Sequence, residues 1–282
     1  MAVKLETELY PPVKKFFVSR GYEVKSEIRG CDLVAYRPDE RQNDPVATIV
    51  EMKKTFTLAL LLQGIDRQKT GASVWLAVER NRVKKGAHNQ RFGEIAQLCR
   101  RLNLGLMTVT FYRTKPPVID VWCEPAETRA GAALGLPAAA ESAAAYALQP
   151  TRRSAAKAGK LLKEFNARSG DYNVGGSAKR KLVTAYRERA IQCALALACH
   201  GPSAPRQVRD WTGCPNAGSM LRENVYGWFR RIRKGLYELA PAGDAALADY
   251  AHVVQVWARQ FPWAGAYADN PSAERAEGAG NG

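Results

Sequence analysis

The stretch "ATIVEMKKT", residues 47–55, decides how the rest of the chain is read. Thr48, Ile49 and Val50 are β-branched and mostly apolar, the composition of a buried strand. Glu51, Met52 and Lys53 follow directly. In a strand, residues i and i+2 point to the same face, so Glu51 and Lys53 stand side by side at the end of an apolar strand. Either they form an ion pair, or they belong to a site.

Working outward, strands alternate with helices. The spacing predicts a helix over 3–20, kinked or broken at Pro11-Pro12 and closed by Gly21. "YEVKSEI" and "CDLVAY" read as strands separated at Gly30, and the quoted stretch supplies a third. Helices follow over 57–68 and 89–102, with the strand "SVWLAV" between them and the strands "LMTVTFY" and "VIDVWC" after them. One mixed sheet flanked by helices accounts for this order. The expectation is an α/β fold over residues 1–125.

Asp32 opens the second strand, straight after Gly30-Cys31. If the second and third strands pair as a hairpin, Asp32 and Glu51 lie at the same end of the sheet. Two nearby carboxylates repel unless a cation lies between them. Magnesium takes one or two carboxylates, waters and a phosphate oxygen. Lys53 would then project beside the metal, where an ammonium stabilises charge developing on phosphorus.

Asp32, followed after about twenty residues by Glu51-x-Lys53, resembles the motif of the PD-(D/E)XK nuclease superfamily, whose core has the same element order. The resemblance implies a restriction-endonuclease-like fold. It also implies magnesium or manganese held by Asp32 and Glu51, and phosphodiester hydrolysis assisted by Lys53. The superfamily usually places a proline before the first acid, where this chain has Cys31. Many members add a glutamate from the first helix. Glu6 shares a face with Leu9, Tyr10 and Val13, which favours it over Glu8 as a third metal ligand. Some members add a glutamine from the following helix, the position of Gln63 in "LALLLQGIDRQ"; a core hydrogen bond would explain that glutamine equally well. The stretches "ETELYPPVK", "GYEVKSEIRGCDLVAY", "LLLQGIDRQ" and "NVYGWFRRIRKGLYEL" also look like a bacterial family known as domain of unknown function 2161, PD-(D/E)XK-type phosphodiesterases by motif. That resemblance spans about residues 3–242.

Composition sets outer bounds. The chain of 282 residues is 46% hydrophobic and carries a net charge of +15. No run approaches the ~18 apolar residues of a membrane span, and "MAVKLETELY" lacks the apolar core of a signal peptide. A cytoplasmic protein with no membrane partner is expected. Six scattered cysteines and three histidines make no zinc-ligand spacing and read as ordinary small apolar and polar residues.

The charge is unevenly spread. Residues 152–234 hold 18 basic and 5 acidic side chains, residues 1–151 hold 22 and 16, and residues 235–282 hold 2 and 6. This is the footprint of a polyanion binder. Residues 126–177 read as an alanine-rich linker and a basic helix. Residues 178–242 read as three helices and a hairpin turning at Lys234-Gly235, a C-terminal winged helix. Residues 243–282 read as a helix and a frayed tail beyond Pro262. In a winged helix the third helix enters the major groove and the wing meets the backbone. The third helix is expected from Pro215 to about Tyr226, and the nucleic-acid-binding candidates are therefore Lys179, Arg180 and Lys181, then Asn216, Ser219, Arg222 and Asn224 on that helix, and Arg230, Arg231, Arg233 and Lys234 on the wing. Tyr226, Trp228 and Phe229 read as core.

The resulting expectation is a metal-dependent endonuclease acting on double-stranded DNA. A cut through both strands often takes two active sites, which admits a homodimer. A DNA-binding regulator with a silent nuclease fold and an RNA-processing nuclease are the alternatives.

Overall fold

The computed structural model describes residues 5–38, 45–81, 91–126, 152–173 and 182–268. It divides into two compact units, Met1–Leu182 and Val183–Gly282.

The first unit is built on a six-stranded sheet: β1 (Glu23–Ile28), β2 (Cys31–Tyr36), β3 (Thr48–Lys53), β4 (Ser73–Glu79), β5 (Gly105–Thr110) and β6 (Val118–Cys123). The strands lie side by side in chain order. β1, β2 and β3 are antiparallel, β3, β4 and β5 run parallel, and β6 returns antiparallel to β5. Both parallel connections carry a helix, α2 (Leu58–Gln68) and α3 (Phe92–Arg101), as a parallel crossover requires. This six-stranded mixed sheet with flanking helices is consistent with the expected restriction-endonuclease-like architecture.

The two-residue period sorts side chains into two cores. Val50 and Met52 of β3 pack with Leu33, Trp75 and Val109 beneath α1 (Tyr10–Val18). Ile49 packs with Val34, Val74 and Leu76 beneath α2 and α3 on the opposite face. The basic helix α4 (Arg152–Ala167) covers that second face too. Its Leu161 and Phe165 are buried in the core, and the Phe165 ring meets Tyr36 edge-on at 4.9 Å. Lys25 holds the end of α4 by donating to the carbonyls of Phe165 and Arg168, a cation where the helix dipole favours one. The helix therefore completes the sheet unit.

The break expected near Pro11-Pro12 falls between Leu9 and Tyr10. A 3₁₀ turn covers Glu6–Leu9, and α1 starts at Tyr10 with Pro11 and Pro12 in its first turn. Prolines are tolerated there because the first N–H groups have no intrahelical partner. Thr57 lies outside α2 as its cap, its side chain accepting from the Leu60 N–H at 3.2 Å.

The second unit holds α5 (Ala185–His200), α6 (Pro205–Thr212), α7 (Ala217–Glu223), a hairpin of β7 (Phe229–Arg233) and β8 (Leu236–Leu239), then α8 (Pro241–Asp249), α9 (Ala251–Gln260) and α10 (Gly265–Ala268). Gly235 turns the hairpin with φ +76°. Ser203 adds a one-residue bridge to β8, exchanging backbone hydrogen bonds with Tyr237. Three differences from the sequence reading stand out. α7 spans seven residues and stops well before Tyr226. Asn224 is its left-handed cap. The chain past Pro262 forms a 3₁₀ turn and α10 up to Ala268. The alanine-rich stretch before α4 lies mostly outside the described residues.

Candidate active site

The β2–β3 register pairs Leu33 with Val50. One step further along the same register, Asp32 stands opposite Glu51. The Asp32 carboxylate accepts a hydrogen bond from the Met52 N–H at 2.8 Å, which ties the first acid to the backbone between Glu51 and Lys53. β1 adds a third acid. Ser26 pairs with Leu33 and Ile28 with Cys31, so Glu27 falls opposite Asp32. Glu27 has φ +51°, and the buried Arg168 guanidinium holds its carbonyl and that of Ser26 at 2.8 and 2.9 Å. Asp171 ties the same strand to α1, accepting from the Ser26 N–H and hydroxyl and from Tyr10 and Lys14.

Glu51 is completely buried. Both its oxygens are engaged from α2: Gln63 Nε2 donates to Oε2 at 2.5 Å, and Arg67 Nε donates to Oε1 at 2.5 Å. Gln63 and Arg67 are four residues apart and share a helix face. A glycine between them allows the approach. A Cβ on Gly64 would stand 2.9 Å from Leu76 Cδ2 on β4, so the glycine lets α2 lie close to the sheet without displacing that leucine. Arg67 also donates to the carbonyl of Gly30 in the β1–β2 turn.

Lys53 pairs with Glu6 at 3.4 Å, both partly exposed. Glu8 turns back instead and accepts from the Leu5 N–H at 2.9 Å. The Glu51–Lys53 neighbours thus use different partners, Arg67 and Gln63 for the acid and Glu6 for the ammonium.

The electrostatics follow from burial. Desolvation, then the Asp32 charge, push the Glu51 carboxyl up to about 7, against the opposing pull of Arg67. Burial also raises Asp32, opposed by the Met52 N–H and by Lys53. Cys31, at the position before the acid, is pushed up to about 12 by burial and is a neutral thiol.

The donor set has a definite character. Among the described residues no three His, Cys, Asp or Glu side chains converge so as to hold a metal ion by themselves. Of the expected trio, Asp32 and Glu51 face each other, and Glu6 pairs with Lys53 while its charge also bears on Asp32. What remains is a pair of facing carboxylates whose mutual repulsion a cation would relieve. Two hard oxygen donors fit magnesium or manganese, which keep several waters and take substrate oxygens. They do not fit a closed zinc site.

Of the sequence candidates, Glu6, Asp32, Glu51, Lys53 and Gln63 come together. Arg67 and Glu27 join them and were not anticipated. Arg67 follows Gln63 by one helical turn in "QGIDR", which puts it on the same helix face but does not tell a site residue from a solvated one.

Residues 107–246 match the model of a family described as "Putative PD-(D/E)XK phosphodiesterase (DUF2161)". The family resemblance read from the sequence is borne out. No curated protein and no solved structure gives a match. The DUF2161 match runs from β5 through α8, so the acids and the lysine lie N-terminal to it.

The basic candidates of the second unit divide by use. Arg222, Arg233 and Lys234 are exposed, and so are Arg230 and Arg231. Arg230 pairs with Glu238 across the hairpin, and Arg231 Nε reaches the Arg233 carbonyl at 3.3 Å. Asn216 and Ser219 are half-buried and locally engaged: Asn216 accepts from the Cys214 thiol, and Ser219 donates to the Asn216 carbonyl. Asn224 is structural. Its side chain clamps Phe229 by donating to that residue's carbonyl at 2.6 Å and accepting from its N–H at 3.0 Å. Trp228 and Phe229 are buried, as expected of core residues. Lys179, Arg180 and Lys181 lie outside the described residues.

Proposed function

We propose that this protein is a magnesium- or manganese-dependent phosphodiesterase that cuts double-stranded DNA internally, and that its second unit acts as a winged helix that positions the duplex. The observation that carries the reading is the placement of Asp32 opposite Glu51 with Lys53 two residues further along β3. The DUF2161 match supports the reaction class, and the exposed arginines of the hairpin support the substrate class.

Asp32 and Glu51 would hold the divalent ion, with Lys53 beside it. The ion, when bound, supplies Lewis-acid polarisation of the phosphate and a more acidic water. The residues of the chain do the rest. The Lys53 ammonium offsets negative charge that builds on the non-bridging oxygens as the water oxygen bonds to phosphorus and the bond to the leaving sugar oxygen breaks. Gln63 holds one oxygen of the Glu51 carboxylate, which limits its reorganisation at the moment of reaction. The attacking water gives up a proton to solvent, and the leaving oxygen takes one from it. On the second unit, Arg222, Arg233 and Lys234 would contact phosphates, which position the duplex without reading its sequence.

A second reading, a DNA-binding regulator with a silent nuclease fold, has one observation in its favour: Arg67 already neutralises Glu51. A cleavage assay separates the two. Supercoiled, linear and single-stranded DNA and duplex RNA are incubated with magnesium, manganese or EDTA, using wild type, Lys53→Ala and Glu51→Ala. Metal-dependent nicking of supercoiled DNA, lost in both variants, is the expected result. Salt-sensitive binding without cleavage in all three proteins would establish the regulator, and preferential cutting of RNA would move the substrate class.

A further inference from the structure

Arg67 is the cation hydrogen-bonded to the buried Glu51 carboxylate. Its guanidinium bridges two elements, taking Glu51 with Nε and the Gly30 carbonyl with another nitrogen. Gly30 and Arg29 both have positive φ, 77° and 51°, the signature of a tight two-residue turn. That turn leads within two residues to Asp32. Arg67 therefore holds together the three pieces that frame the site: α2, the end of β3 and the start of β2. Its side chain remains 21% exposed, whereas that of Glu51 is sealed. The arginine thus has a path to solvent and the acid has none.

A guanidinium cannot shed its charge. With no metal bound it compensates a carboxylate that water cannot reach. A divalent ion shared by Asp32 and Glu51 would bring two further positive charges to the same oxygens. The two cations then repel at close range in a poorly screened setting, and only the arginine is tethered elsewhere.

We infer that Arg67 is the resident counter-ion of the metal-free site, and that a divalent cation entering between Asp32 and Glu51 displaces its guanidinium from Glu51. This rests on the metal-site reading above. The displaced guanidinium, still anchored at Gly30, faces outward as a fork suited to a phosphate. Metal and nucleic acid then assist each other's binding, since the substrate phosphate takes up the guanidinium that the metal releases.

The test uses the full chain and manganese alone, with free Mn²⁺ followed by its electron paramagnetic resonance at pH 8.5. At that pH a proton does not simply replace the missing guanidinium. Arg67→Gln is expected to bind Mn²⁺ more tightly than wild type, on the order of tenfold, and Arg67→Lys to stay close to wild type. If Arg67→Gln does not fold, wild type carries the test. The Arg67 Nε–H proton resonance, protected by its bond to Glu51, should shift or begin exchanging with solvent as Mg²⁺ is added. Equal or weaker Mn²⁺ binding by Arg67→Gln would overturn the exchange, as would Mg²⁺ saturation with an unchanged Nε–H. In either case Arg67 is a structural brace and the metal site stands. Mn²⁺ binding that survives Asp32→Asn, or that is absent from wild type and Arg67→Gln alike, would instead remove the metal site itself.

Discussion

Asp32 on β2 accepts a 2.8 Å hydrogen bond from the backbone N–H of Met52 on β3, between the side chains of Glu51 and Lys53. The contact separates two roles of one carboxylate. Asparagine at position 32 keeps an acceptor for that N–H, and alanine leaves it without one. An orphaned buried donor costs about 1–3 kcal/mol. Asp32→Ala should therefore lower the thermal midpoint by several degrees, whereas Asp32→Asn should stay near wild type. Both should abolish cleavage, since neither offers a charged oxygen. Melting curves beside a nicking assay check this. An active Asp32→Asn would take the acid out of the chemistry.

The Glu51 carboxyl gives a pH dependence with a defined sign. Its folded value is about 7 against an ordinary 4.5, with burial the leading cause and Asp32 the next. Below about pH 4.5 the group is protonated in both states and contributes nothing. Between the two values the unfolded chain releases the proton and the folded chain retains it, so folded stability falls as pH rises, and the penalty is complete above about 7. Measured in EDTA, wild type should lose roughly 3 kcal/mol relative to Glu51→Gln across this window. Asp32, shifted in the same direction, adds to the slope of both proteins. Parallel stability curves from pH 4.5 to 8 would show that Arg67 fully compensates the buried charge.

Gly64 tests whether helix placement matters to the site. A methyl group there meets Leu76 at 2.9 Å and Leu104 at 3.4 Å, both flexible side-chain ends. Alanine gains about 1 kcal/mol of helix propensity over glycine, which offsets the crowding. Gly64→Ala should be close to neutral. Gly64→Val adds β-branched bulk and should cost about 1–3 kcal/mol. It should also slow cleavage, because Gln63 moves away from Glu51 along with the helix. Loss of stability with full activity would separate α2 placement from the site.

The quoted stretch was legible because its signal is local. The alternation in Thr48–Lys53 alone places Val50 and Met52 on one face and Ile49 and Glu51 on the other, and the structure buries both faces accordingly. Arg67 was not legible, because a lone arginine on a helix reads as solvated until its distance from the sheet is known. That distance is set by Gly64 against Leu76, a contact twelve residues apart in sequence and made only by the fold. Asn224 was misread for a related reason. Read as part of a helix extending to about Tyr226, Asn224 invites a base-reading role, yet its φ of 45° marks the left-handed cap that asparagine tolerates. The basic run of α4 likewise drew attention away from Leu161 and Phe165, whose four-residue spacing is that of a packed helix face.

The Lys53–Glu6 pair spans 3.4 Å, with the two side chains 41% and 31% exposed. Pairs this exposed stabilise by about 0–1 kcal/mol, so Glu6→Gln should leave the melting point almost unchanged. Its effect belongs to the lysine, which loses the group that restrains it. Cleavage should fall by about tenfold or less in Glu6→Gln, against a factor on the order of 10²–10³ in Lys53→Ala, the range for removing a group that stabilises transition-state charge. Equal losses in both variants would give Glu6 a direct part in the reaction.

The second unit makes a prediction that is independent of catalysis. Each phosphate contact releases condensed counterions, so the logarithm of affinity for duplex DNA falls with the logarithm of salt by about 0.9 per contact. Arg222, Arg233 and Lys234 are exposed, whereas Arg230 is held by Glu238. Alanine at each of the first three should weaken binding similarly on any sequence and reduce the salt slope by about one contact. Arg230→Ala should do so less. Asn216→Ala and Ser219→Ala, whose polar groups serve α7 itself, should leave the slope unchanged. Fluorescence anisotropy of the full chain on a short duplex, titrated with salt, reads all six variants. A slope indifferent to the hairpin and α7 arginines would place the phosphate contacts elsewhere on the chain and overturn the proposal that the second unit positions DNA as a winged helix.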